Sequence, residues 1–164
     1  MKRLDLFPIT TKIENNELSI ARINLKNLVD EFQTPLYIYD KATLDSSVTE
    51  YKNALASYYG THASVTYAGK AYLCTAIAQW TQLHGLTLDC TGEGEIHIAL
   101  NAKVKRENIL VHGVNKSDAD LKSAIQHAGT IVVDNLTELE KIKETLRFAQ
   151  SDMNLWLRLL PGVT

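Results

Sequence analysis

The sequence predicts an α/β fold built on a parallel sheet, and three observations carry that prediction. From Ala63 onward short apolar runs alternate with amphipathic stretches of helical spacing. The amphipathic stretches close at glycines, Gly60, Gly85 and Gly129, the residue that tolerates the left-handed turn after a helix. Two of them open at capping residues, Ser117 and Asn135. Strand–helix alternation of this kind places helices outside a parallel sheet. Right-handed crossovers then leave two architectures, an open doubly wound sheet or a (β/α)8 barrel, and the pattern alone leaves both open.

The elements follow in order. "TPLYIYD" (34–40) reads as a short apolar strand behind a proline, and "KATLDSSVTEYKNALASYYG" as a helix ending at Gly60. "ASVTYA" (63–68) is a strand. "AYLCTAIAQWTQLHG" (71–85) puts Leu73, Ile77, Trp80 and Leu83 at helical spacing. "LTLDC" (86–90) is a strand, and "EGEIHIALNA" (93–102) a helix with Ile96, Ala99 and Leu100 on one face. "NILVHG" (108–113) is a strand. "SDADLKSAIQHAG" (117–129) opens on Ser117 as N-cap and buries Leu121, Ala124, Ile125 and Ala128. "TIVVD" (130–134) is an apolar run of buried-strand type. "NLTELEKIKETLRFA" starts at Asn135 with Glu138 three residues on, a capping-box pattern, and "NLWLRLLPG" (154–162) is the last strand.

Composition narrows the function classes. The 164 residues are 45% hydrophobic and 22% charged, ordinary for a folded domain. A net charge of −2 gives no basic surface for nucleic acid. No apolar run is long enough to span a membrane, and the start, "MKRLDLFPITTKIENNELSI", lacks the apolar core of a signal peptide. Cys74 and Cys90 do not form a disulfide framework or a CxxC site. They read as reduced thiols, which places the protein in the cytoplasm.

Lys70 stands where "VTYAGKAYLC" (65–74) stops being a strand. In both candidate architectures chemistry sits at the carboxyl ends of the strands. Lys70 has two readings, a solvated lysine after a strand or a Schiff-base lysine. The second requires a neutral amine, which a partly desolvated pocket favours. Its neighbours Ala68, Gly69 and Ala71 leave room for a flat ring against the backbone. Asp89 ends the next strand and is either a loop carboxylate or an acidic wall of the same mouth. "TGEGE" (91–95) lacks the third glycine of a dinucleotide loop, and its glutamates would repel phosphate, so it reads as a strand-to-helix turn. "VHGVNKS" (111–117) gathers His112, Asn115 and Lys116 in one loop. His112 there is either a polar loop residue or an acid–base group, and no metal-ligand partner lies at suitable spacing. Arg158 interrupts an apolar strand and needs a carboxylate partner, for which Asp89 is the candidate.

Taken together these segments resemble diaminopimelate decarboxylase, of the alanine-racemase-like fold type of pyridoxal-phosphate enzymes. "TPLYIYD" looks like the family's entry strand, "YAGKAYLC" like its Schiff-base lysine motif, and "LDCTGEGEI" like its second-strand motif. "HGVNKS", "IVVDNLTELEKI" and "LRLLPGV" look like its third-strand loop, its fourth strand and helix, and its fifth strand. Six motifs lie in the family's order over nearly the whole chain. Two positions depart from the pattern: Glu93 stands where the family has the first of two glycines, and Val114 where it has the first of two asparagines.

The resemblance implies an incomplete (β/α)8 TIM-type barrel of about five of its eight strands. Residues 1–40 would belong to the family's second, β-rich domain, and residues 41–164 would form a partial barrel that binds pyridoxal 5'-phosphate. Lys70 would be the catalytic lysine and carry the cofactor, with Ala68, Asp89 and Arg158 around it; no metal is implied. The implied reaction is decarboxylation of meso-2,6-diaminopimelate to L-lysine, in lysine biosynthesis. The substrate would be a small amino acid, and the full-length enzyme a homodimer. Alternatives are a decarboxylase of the same fold type acting on ornithine, arginine or carboxynorspermidine, or an inactive truncated product. The family's ring-stacking histidine, glycine-rich phosphate loop and second-subunit cysteine and tyrosine come after the region matched. The 164-residue chain alone is therefore expected to be inactive. With two open sheet edges and an apolar inner face it is also expected to aggregate.

Overall fold

A computed structural model describes residues 4–60, 63–147 and 152–162. The Phe148–Ala149 end of the last expected helix and Val163 of the fifth-strand motif lie outside the described residues. By internal contacts the chain divides into two units, Met1–Ala63 and Ser64–Thr164.

The first unit holds a three-stranded antiparallel sheet of β1 (Lys12–Glu14), β2 (Glu17–Ile20) and β3 (Ile23–Asn24), with helices α1 (Leu25–Phe32) and α2 (Lys41–Tyr59). Asn15 and Asn16 make the β1–β2 turn at φ of 49° and 64°, a conformation asparagine enters more readily than most residues. Asn24 caps α1 through the Lys26 N–H, and Asp40 caps α2 through the Thr43 N–H. Helix α2 ends at Gly60, as the sequence indicates. "TPLYIYD" does not form the expected strand. Tyr37 is 88% exposed, and no partner strand offers the segment a hydrogen-bonding ladder among the described residues. An apolar, aromatic run signals a strand only when a neighbour completes it.

The second unit is a five-stranded parallel sheet in the order β4 (Thr66–Ala68), β5 (Thr87–Cys90), β6 (Ile109–Val111), β7 (Thr130–Val133) and β8 (Asn154–Leu157). Helices α3 (Thr75–Leu83), α4 (Glu93–Asn101), α5 (Asp118–His127) and α6 (Leu136–Leu146) connect successive strands. Sequence order equals sheet order, the winding of a barrel wall rather than of a sheet whose order reverses. The expected α/β architecture, a partial barrel, is therefore the one observed.

Register sorts the side chains. Cys90, Val111, Ile131 and Leu155 pair across β5–β8, and they join Ile96, Ala99, Leu121, Ala124, Ile125 and Ile142 from the helices in one core. Ala68, Asp89, Leu110, Thr130 and Asn154 pair across all five strands and share the opposite face. That face is not the apolar surface expected of it. Thr66, Thr87, Asp89, Thr130 and Asn154 interrupt Leu110, Val132 and Trp156.

Two details correct the sequence reading of α3. A tight 3-10 turn over Gly69–Ala71 follows β4, so the helix starts four residues late, at Thr75. Its buried face is Ile77, Ala78, Trp80 and Thr81, which leaves Leu83 76% exposed. Ser117 caps α5 in a full capping box with Asp120, and Leu121, Ala124, Ile125 and Ala128 are all buried as expected.

Candidate functional site

Four polar residues meet at the carboxyl ends of β4, β5 and β6. Lys70 lies two residues past the β4–β5 pair Ala68–Asp89, on the 3-10 turn. The turn passes close to β5. A Cβ on Gly69 would stand 2.8 Å from the Asp89 carbonyl oxygen and 3.3 Å from Glu95 Oε2, so only glycine lets the strand end approach so nearly. Lys70 itself is exposed.

Asp89 is half-buried at the centre of the cluster. Its Oδ2 stands 3.8 Å from His112 Nδ1, an electrostatic contact too long for a hydrogen bond. Its Oδ1 is buried and has no hydrogen-bond partner among the described residues. Burial pushes the Asp89 carboxyl above the usual carboxylate range; the His112 and Lys70 charges pull it down, and the Glu95 charge pushes it up. An acceptor left without a donor inside a fold costs free energy and therefore calls for an explanation.

Glu95 is the member that sequence reasoning missed. Its Oε2 accepts from the Thr91 N–H at 2.7 Å and from the Thr91 hydroxyl at 3.1 Å. Asp120 of α5 accepts from the Glu93 N–H at 2.8 Å. Carboxylates thus occupy N–H groups at the start of α4, which agrees with reading "TGEGE" as a strand-to-helix turn. No capping box announces Glu95: the N-cap is Gly92, and the threonine that Glu95 holds lies four residues back, one more than that pattern's spacing.

Arg158 does not join this cluster. Its Nη1 donates to Asp134 Oδ1 at 2.9 Å, and Asp134 ends the neighbouring strand β7. The expected pairing with Asp89 fails on topology. Asp89 is on β5 and Arg158 follows β8, three strand spacings or roughly 14 Å away across the sheet.

The two thiols differ. Cys90 is fully buried in the core, and burial pushes its thiol to about 12. Cys74 precedes α3, and the Ile77 N–H draws its thiol below the ordinary value. Among the described residues no three histidine, cysteine or acidic side chains gather as a metal site, and no helix is long and apolar enough to cross a membrane.

Chemically the cluster offers an exposed primary amine beside a carboxylate with one unsatisfied buried oxygen. The amine suits an aldehyde. The orphaned oxygen can accept from a donor or face a cation. These residues fit the aldehyde end of a pyridoxal cofactor.

Residues 41–164 match the family described as pyridoxal-dependent decarboxylase, pyridoxal binding domain. Diaminopimelate decarboxylase of Mycobacterium bovis is 39% identical over 156 residues, which is 94% of this chain and 34% of that protein. The crystal structure of diaminopimelate decarboxylase from M. jannaschii superposes with a TM-score of 0.87 at 26% identity, covering 94% of this chain and 37% of that one. The Helicobacter pylori diaminopimelate decarboxylase, solved with L-lysine, gives a TM-score of 0.76 at 26% identity, over 85% of this chain and 35% of that one. The chain spans about a third of the length of the relatives it matches.

Proposed function

Because the chain belongs to the pyridoxal-dependent decarboxylases through their pyridoxal binding domain, we propose that it supplies the lysine-bearing barrel wall of an enzyme converting meso-2,6-diaminopimelate to L-lysine. The observation that carries this reading is Lys70, an amine on a glycine-tight turn at a strand end, beside a half-buried carboxylate. The similarity to diaminopimelate decarboxylases, two of them solved with lysine, supports that substrate over other amino acids of the fold type. In this reading residues 1–40 belong with the second domain and residues 41–164 with the barrel, the stretch matched by the family. The enzyme is cytoplasmic and works as a homodimer.

The cofactor supplies an electron sink for the bond that releases carbon dioxide. The chain's residues do the rest. Lys70 Nζ would be the amine that holds the cofactor at its aldehyde end. Asp89, close enough to feel the Lys70 charge, would steady a cation there, and its Oδ1, without a hydrogen-bond partner among the described residues, would accept from a bound ligand. Gly69 lets the turn that carries Lys70 close onto β5, and Ala68 ends β4 beside Asp89, so both would border a cofactor held there. Arg158, held by Asp134, borders the mouth on its far side.

The test is covalent. The chain is incubated with pyridoxal phosphate, reduced with borohydride, digested and read by mass spectrometry. The adduct is expected on the Lys70 peptide and absent from Lys70→Ala. A wild-type adduct spread over surface lysines, or an undiminished one in the variant, overturns the assignment.

A further inference from the structure

The loop after β6 holds a second polar cluster that the reading above leaves without a task. The Lys116 side chain is wholly buried. Its Nζ donates to the Gly113 carbonyl at 2.8 Å, the Val132 carbonyl at 2.9 Å and Glu138 Oε1 at 2.7 Å. An ammonium has three donors, so this one is saturated. Glu138, itself buried, also accepts from the Asp134 N–H at 3.3 Å. Asp134 in turn holds Arg158. One run of contacts therefore joins the carboxyl ends of β6, β7 and β8.

A buried ion pair is a costly way to stabilise a fold, since apolar groups of the same volume often serve as well. What an apolar pair cannot do is grip a carbonyl. Lys116 grips that of Gly113, the residue directly after His112. Gly113 packs so closely that a Cβ would stand 3.0 Å from the Thr91 carbonyl oxygen. On the other side the His112 N–H donates to the Cys90 carbonyl at 2.9 Å. The backbone of His112 is thus held before and after the residue, and its ring is delivered 3.8 Å from Asp89.

We propose that Lys116 and Glu138 are positioning residues that set His112 against Asp89. Lys116 fixes the Gly113 peptide, Glu138 neutralises and aims Lys116, and the imidazole reaches Asp89 only from the backbone so held. This deepens the proposed function, and it rests on that reading only for the task of the mouth.

Its test needs no cofactor and so stands or falls apart from the Lys70 adduct. The full chain is treated with diethyl pyrocarbonate at one fixed pH, and labelling of His112 is read against His97 and His127 in the same digest. In Lys116→Met the His112 ratio is expected to rise about two- to fivefold, the free energy of one partly exposed ion pair read as a rate ratio. The double variant Lys116→Met/Glu138→Gln removes the unpaired buried charge and leaves an acceptor for the Asp134 N–H. It is expected to regain thermal stability while keeping the raised ratio, because nothing grips Gly113. A brace that is only structural gives a wild-type ratio once stability returns, and that result overturns the proposal. Should Lys116→Met be too loosened to fold, its reference histidines speed up together with His112. The ratio in the double variant then decides.

Discussion

Two polar clusters stand at the strand ends of one sheet, and they are satisfied to different degrees. Around Lys116 and Glu138 every donor of a buried ammonium has an acceptor. Around Asp89 a half-buried carboxylate keeps one oxygen unbonded among the described residues, a histidine at arm's length and an exposed lysine nearby. In the first cluster the ammonium has no donor left to offer a ligand. The second is open, with one buried oxygen unsatisfied among the described residues. Saturation marks structure, and an unsatisfied group in a mouth marks chemistry.

The largest effect expected from breaking this contrast is at the closed cluster. Lys116→Met leaves Glu138 buried and unpaired, and should lower unfolding free energy by about 3–5 kcal/mol. Urea denaturation measures it; a loss under about 1 kcal/mol would put the pair in the exposed class. Gly69→Ala comes next. Its new methyl meets the Asp89 carbonyl oxygen at 2.8 Å, and forcing the strand ends apart should cost about 1–3 kcal/mol. The same variant should reduce the borohydride-trapped adduct, because Lys70 moves with the turn.

Asp89→Asn sharpens the contrast through pH. The carboxyl of Asp89 is raised in the folded chain, chiefly by burial, so the folded state binds its proton more tightly than the unfolded state does. Its contribution to stability is therefore present in acid and lost as pH rises through the folded value. Denaturation midpoints of wild type and variant should diverge across that window, with the variant gaining relative stability towards neutrality. Parallel curves would show that Asp89 finds a partner on folding. Lys70→Ala should do least to stability, within about 0.5 kcal/mol, since the side chain is exposed. Losing the adduct without losing stability is the signature expected of the open cluster.

Much of the second unit was legible because its signals are local. Ser117 with Asp120 and Asn135 before α6 declare helix starts within four residues. Short connections oblige each strand to lie beside the last, and the sheet does so. What escaped depends on partners distant in sequence. "TPLYIYD" has strand composition but lacks a neighbouring strand among the described residues. By spacing alone Glu138 is a capping-box acid. Asn135 does cap α6, but the Glu138 carboxylate turns instead to Lys116, 22 residues earlier. Arg158 pairs with a carboxylate, as a charge in an apolar run requires, but on another strand than expected, because such a charge announces a need for a partner and not its address. At the site, Lys70 and Asp89 were visible by position. Glu95 was hidden among glutamates that read equally well as turn residues.

The burial of Cys90 has a practical side. Its sulfur lies in the dry core and holds its proton up to about 12, whereas Cys74 is half-exposed with a thiol drawn below the ordinary value. Under an alkylating reagent near neutral pH, the folded chain therefore presents one nucleophilic sulfur out of two. A second label can enter only when β5 parts from the helices that cover it. Label stoichiometry in this chain is then a clock of sheet opening, one that needs neither a cofactor nor a functioning mouth to run.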